Sequence, residues 1–233
     1  MNRTFLLLLF SIFLCSVNGF SQAGADFRIF KEEADQFSLL YRGTTPLVYK
    51  FLHTGTYYAY TEQYIEGSVV FNNKEYTGVL LNLNSHLDEL YVSIPENNRK
   101  VMINKEFVSS FRIGERSFIK YKEAYYEVLY RDQSTQLLKK IGKSYAERIN
   151  QAANISTNTK LERLFIGNDS YFILENGARR EIKRKRDFAS VYSVKRGDVR
   201  RVVREKNLDT KHNKDMAYYE IISFVKMEER EVK

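Results

Sequence analysis

Between Leu47 and Lys140 the chain runs in short apolar and aromatic stretches separated by Asn, Gly and Pro clusters. This is the punctuation of antiparallel strands joined by tight turns. The stretch "GSVVFNNKEYTGVLLNLN" has the form of a hairpin, with Asn72 and Asn73 suited to the positive φ its turn requires. "DELYVSIPENNRKVMI" repeats the form across residues 95–99, and "EFVSSFRIGERSFIKY" turns at Gly114 and Glu115. "AYYEVLYRDQSTQLLKKI" turns near residues 132–134. In "ELYVSI", Leu90, Val92 and Ile94 fall on one face while Glu89, Tyr91 and Ser93 fall on the other. That period of two predicts a half-buried sheet. Short strands at this spacing predict a mainly β (α+β) chain built on an antiparallel curved sheet or a partly open barrel.

The rhythm breaks at residues 141–160, "IGKSYAERINQAANISTNTK", which reads as a polar connection, with at most one helical turn. "SYFILENGARREIK" follows, and Asn176-Gly177 between two extended runs predicts a two-residue type I′ hairpin. Beyond it the period changes. Val199, Val202 and Val203 lie at i, i+3 and i+4, and Tyr218, Ile221, Ile222 and Val225 repeat that spacing after a candidate cap at Asn213. The C-terminal part is therefore expected to be a β-hairpin followed by short amphipathic helices, packed on the sheet.

The first residues, "MNRTFLLLLFSIFLCSVNGFSQAGADF", place Arg3 before an apolar run and small residues at Ser21 and Ala23. A charged start, a short apolar run and a small-residue cleavage site predict a secretory signal peptide over residues 1–23, too short to be read as a membrane span. Cys15 falls in the apolar run, and it is the chain's one cysteine. Its removal leaves a mature chain of about 210 residues without disulfides, thiolate chemistry or cysteine-bound zinc. The expected organisation is then a β domain over 24–140, the polar connection over 141–160 and the hairpin with helices over 161–233.

Charge changes the picture at one place. Residues 176–206 hold twelve Lys and Arg against four acids, which accounts for the whole-chain net charge of +8. The candidate partner-binding residues are Arg179, Arg180, Lys183, Arg184, Lys185, Arg186, Arg200, Arg201 and Arg204. Such density fits nucleic acid, an anionic surface or a solvated face. Export removes the first, leaving attraction to lipid headgroups, lipopolysaccharide or an acidic protein, or simple solvation.

Candidate chemistry is sparse. His53, His86 and His212 are the three histidines, and no two are spaced as a helical zinc pair. His86 lies near Asp88 and Glu89, a pattern better matched by a turn residue beside strand-edge carboxylates than by a metal site. No nucleophile elbow, Walker loop or dinucleotide fingerprint occurs. No catalytic residue, cofactor or metal is assigned. The tyrosine doublets Tyr57-Tyr58, Tyr125-Tyr126 and Tyr218-Tyr219 would, on strands, offer one ring to the core and one to the surface.

The succession "GSVVFNNKEYTGVLLNLNSHLDELYV", "KEFVSSFRIG", "YYEVLY", "LLKK" and "YFILENGARREIKRKRDF", with a terminal "YYEII", resembles a family of uncharacterised exported, mainly β proteins of Bacteroidota-type bacteria. The resemblance implies export in a diderm bacterium and brings no activity, cofactor or catalytic residue. The expectation is a non-catalytic accessory or binding subunit of a cell-envelope complex, in the periplasm or at the periplasmic face of the outer membrane. Its partner would be an outer-membrane or periplasmic protein, with an anionic envelope surface as a further contact and no nucleic acid. The alternative is an enzyme acting on envelope glycans or peptidoglycan.

Overall fold

The computed structural model describes residues 39–94, 97–150 and 160–231. The chain divides between Arg42 and Gly43, and every strand and helix named below lies on the Gly43–Lys233 side. The expected signal peptide lies outside the described residues.

The first strands follow the sequence pattern closely. β1 (Ile65–Phe71) and β2 (Lys74–Asn84) form the first hairpin, whose Asn72 and Asn73 take φ of 50° and 62°. β3 (Glu89–Ser93) and β4 (Lys100–Met102) form the second. β5 (Val108–Ile113) and β6 (Arg116–Tyr121) turn at Gly114, φ 56°. β7 (Ala124–Arg131) and β8 (Thr135–Lys140) turn around Asp132, whose carboxylate accepts the backbone N–H groups of Ser134 and Thr135 at 2.9 and 2.8 Å. That local bonding offers the chain a turn in place of further ladder. β11 (Ser170–Glu175) and β12 (Ala178–Ile182) flank Asn176 and Gly177, φ 49° and 77°, the left-handed pair that a type I′ turn demands.

These ten strands make one antiparallel sheet in the order β12-β11-β8-β7-β6-β5-β1-β2-β3-β4, which does not close into a barrel. It is strongly rolled all the same. The β2–β3 turn and the β7–β8 strands are about five strand spacings apart, roughly 24 Å in a flat sheet. Yet the Asp88 carboxylate in that turn accepts the Tyr125 N–H at the start of β7 (3.3 Å) and pairs with Lys140 at the end of β8 (2.7 Å). Register shifts at Gly67/Ser68, Val70/Phe71 and Val128/Tyr130 supply the bends. At Gly67 the β5 backbone comes so close that a Cβ would lie 1.9 Å from the Arg112 carbonyl oxygen.

Three expectations change. The pattern predicts strands from Leu47 onward, but β1 begins at Ile65, and the preceding stretch makes only isolated bridges at Thr44, Thr54 and Tyr58. That stretch lies along β2: Ala59 N–H donates to the Leu83 carbonyl, and the Ser85 and His86 N–H groups donate to Tyr57. It explains the second difference. β3 is buried on both faces, with Tyr91 and Ser93 as enclosed as Leu90 and Val92, because Tyr58 packs edge-on against Tyr91. Third, the polar segment expected over 141–160 contains β9 (Lys143–Asn150), which pairs with β10 (Lys160–Gly167) as a separate two-stranded ribbon. Polar composition hid this strand because most of β9 is exposed and its pairing with β10, not an apolar face of its own, makes it a strand.

The helices are α1 (Arg186–Val191), α2 (Arg196–Glu205) and α3 (Lys214–Glu231). Asn213 caps α3, its side-chain oxygen accepting the Met216 N–H at 3.4 Å. Tyr218, Ile221, Ile222 and Val225, one stripe of α3, are buried with Val199, Phe188 and the sheet residues Leu137, Tyr171, Ile173 and Ile182. No described helix is long and apolar enough to cross a membrane.

The two special glycines should respond differently to substitution. Gly67→Ala forces β1 and β5 apart and should lower the thermal midpoint sharply. Gly177→Ala meets open space and pays only for its positive φ, about 1 kcal/mol. Thermal denaturation of both variants should therefore show Gly67→Ala as much the more damaging.

Candidate functional site

Two places concentrate charge. The first is the basic run, which the fold distributes over three elements. Alternation along β12 turns Arg180 to the face that carries the helices, opposite Ile173, and Arg179 to the other face, opposite Leu174. Arg179 lies 4.5 Å over the Phe172 ring and donates a hydrogen bond to the Tyr126 hydroxyl. Lys183, Arg184 and Arg186 are exposed around the start of α1, while Lys185 is half-buried. The N–H groups of Lys183 and Arg184 are tied to the Asp187 carboxylate at 2.9 and 2.8 Å, fixing the strand-to-helix corner. On α2, Arg200, Arg201 and Arg204 are exposed on the side away from buried Val199 and Val202. Arg201 pairs with Asp198 at 3.4 Å, one turn back. Eight of the nine candidates thus surround the β12–α1–α2 block, and Arg179 alone joins the aromatic face behind it.

The second place, which the sequence did not single out, is a cleft of about 440 Å³ beside the start of α3. Lys139 of β8 is its buried wall, with a side chain 6% exposed. Its ammonium pairs with Asp215 at 2.7 Å and Asp169 at 3.2 Å. Asp215 also accepts from the Tyr171 hydroxyl at 2.7 Å, and Asp169 accepts the Gly142 N–H at 3.3 Å. Burial would depress the Lys139 pKa, but the two carboxylates outweigh it and the pKa is raised. Tyr171 is pushed up by burial and by Asp215. Next to Lys139 on the ladder, buried Glu127 accepts from Arg116 at 2.8 Å and from the Tyr60 hydroxyl, and Arg116 stacks 3.9 Å from the Tyr60 ring. Periodicity could not have found this cluster, since a lysine in "QLLKKI" looks like any strand-end cation. Its partners come from residues 169 and 215, far along the chain.

The cluster works chiefly as a clamp. Asp215 is in the first turn of α3, so its pairing with Lys139 pins the helix start to β8. Further along, buried Lys226 reaches Glu175 of β11 at 3.0 Å, and Glu175 also accepts from Thr135 at 2.9 Å. Burial raises the Glu175 pKa, but the bonds from Lys226 and Thr135 more than offset this and hold it below the usual range.

The histidines carry no shared chemistry. His86 Nδ1 lies 2.8 Å from the Lys143 carbonyl oxygen, joining the β2–β3 turn to β9, and its ring meets Phe165 at 5.3 Å. His53 and His212 contact Gly55 and Asp209 locally. Among the described residues no group of His, Cys, Asp and Glu is arranged to hold a metal. The tyrosine doublets depart from the expected in-and-out split. Tyr57 and Tyr58 lie outside any strand with ring centres 4.5 Å apart. Tyr125 and Tyr126 are both buried because each face of β7 is covered. Tyr218 is buried and Tyr219 is 42% exposed, a consequence of helical rather than strand geometry.

Lys139→Ala should cost roughly 3 kcal/mol, since it strands two partly buried carboxylates. Combining it with Asp215→Asn should cost less than the sum of the single changes, readable as a coupling in chemical denaturation. Glu175 titrates lower in the folded than in the unfolded chain. Its stabilisation is therefore complete above the ordinary carboxylate pKa and lost as pH falls through the depressed one. Glu175→Gln should accordingly narrow the difference in stability between pH 7 and pH 3, measured by thermal melts at both.

No family model, curated protein or solved structure matches this chain.

Proposed function

We propose that this protein is a non-catalytic, exported accessory or binding subunit of a bacterial cell-envelope complex, docking through the cations of the β12–α1–α2 block. The observation that carries the reading is a division of labour within this block. Ile182, Phe188, Val199 and Val202 are buried beneath it, so the elements are fixed by apolar packing. Lys183, Arg184, Arg186, Arg200, Arg201 and Arg204 are exposed above it. Cations that fold stability does not require, held on a rigid scaffold, attract an acidic partner and orient it. An apolar run and small-residue motif at residues 5–23 support export. The charges of the Lys139 cleft are engaged with one another in holding α3, which supports a binding role over a catalytic one.

The partner is proposed to be an outer-membrane or periplasmic protein with an acidic face, at the periplasmic side of the outer membrane. Neutralising Lys183, Arg184, Lys185 and Arg186 to Gln should leave the melting curve unchanged. It should also release the protein from envelope fractions at lower salt than the native chain needs. Affinity capture from solubilised envelopes should recover one stoichiometric protein from the native chain and not from the variant. Unchanged salt release would reduce the block to a solvated face. A lone monomer that degrades purified peptidoglycan would replace this reading with an enzymatic one.

A further inference from the structure

At the end of β8, cations outnumber the carboxylate that holds them. The Asp88 Oδ2 atom receives the Lys105 ammonium at 2.6 Å and the Lys140 ammonium at 2.7 Å, as well as the Tyr125 N–H. Two ammonium groups sharing one oxygen lie no more than about 5.3 Å apart, and a single negative charge cannot balance both. Arg179 adds a third cation. Its guanidinium and the Lys140 ammonium each lie 5.7 Å from the centre of the Tyr126 ring, and Phe172 extends that floor beneath Arg179.

The consequence is visible at Lys140. Burial depresses its pKa first, the charges of Lys105 and Arg179 depress it further, and Asp88 only partly compensates. Yet the group is not sealed off. The Lys105 and Lys140 side chains are each 27% exposed, and Arg179 is exposed. Clustering like charges against aromatic rings, where water screens them poorly, costs energy that a bound anion recovers. Arg presents a planar fork and Lys a point charge, the pair of donors that phosphate oxygens accept.

We propose that Lys140 and Arg179, set against Tyr126 and Phe172, form a binding site for a phosphate monoester together with Lys105, which lies over the Tyr125 ring and shares Asp88 with Lys140. Three cations less one carboxylate leave a surplus that a phosphate dianion neutralises. Phe172, half-buried beneath Arg179, provides an apolar edge for whatever the phosphate is attached to, whether a sugar or a lipid headgroup. The site is separate from the α1–α2 cations proposed to dock a protein, and it stands whether or not that docking occurs.

The test uses the full chain and two phosphate sources. Calorimetric titration with glucose 6-phosphate, with sulfate as a competing dianion, probes the soluble source. Co-sedimentation with phosphatidylcholine vesicles containing phosphatidic acid probes the lipid source. Binding to at least one source is expected, weakened about tenfold or more in Lys140→Gln/Arg179→Gln and unaffected by Lys183→Gln/Arg184→Gln. The Lys140→Gln variant retains the Lys105–Asp88 pair, and a matching melting curve confirms that its fold is intact. Tighter binding to vesicles than to the sugar phosphate assigns the lipid headgroup, and the reverse order assigns a soluble or glycan phosphate. An absence of binding to both sources, or equal binding by the Lys140/Arg179 variant, overturns the site.

Discussion

The roll of the ten-stranded sheet is fastened at Asp88. This residue sits in the left-handed region at φ 59°, in the turn between β2 and β3, and its single carboxylate reaches the beginning of β7, the end of β8 and Lys105. A charged acceptor taking several donors is worth more than a neutral one, and here the donors come from β7, β8 and the turn that precedes β5. Once the β2–β3 turn is drawn to that end, His86 in the same turn comes within reach of Lys143, and the β9–β10 ribbon is attached beside it. Position of the ribbon therefore follows from closure of the roll.

The helix-bearing face of the sheet is organised by a second kind of electrostatic fastening. Lys139 and Glu175 project from neighbouring strands toward the helical side and meet Asp215 and Lys226 on α3. The helix is consequently held by apolar packing along one stripe and by charge near both of its ends. Buried pairs of this kind contribute little net stability over an apolar substitute. They do set which helical turn meets which strand. The β12–α1–α2 block then hangs between fixed supports, with α1 against β12 and α2 against α3. Its surface cations lie outside that apolar packing, and their ion pairs, such as Arg201 with Asp198 and Lys206 with Glu220 of α3, are at the surface.

The two faces of the sheet so acquire different characters from one alternating strand. Neighbours Lys139 and Lys140 point to opposite sides. One is neutralised by two aspartates, while the other shares a single aspartate oxygen with a second lysine. Arg179 and Arg180 divide in the same way. Pairs that look interchangeable in the sequence therefore differ in charge balance, and this difference separates a structural clamp from a surface suited to anions.

The sequence by itself determined the local geometry. Hairpin turns at Asn72-Asn73, Gly114 and Asn176-Gly177 follow from which residues tolerate positive φ, and the helical stripes of α2 and α3 follow from the 3.6-residue period. These are short-range constraints, written within a few residues of where they act. Tertiary structure decided the rest. The burial of both faces of β3 depends on a stretch some thirty residues earlier folding over it. The strand β9 is defined by its partner β10 and not by its own composition. The partners of Lys139 and Asp88 come from distant segments that only the rolled sheet brings together, because the charge on a side chain is local information and its neutralisation is not.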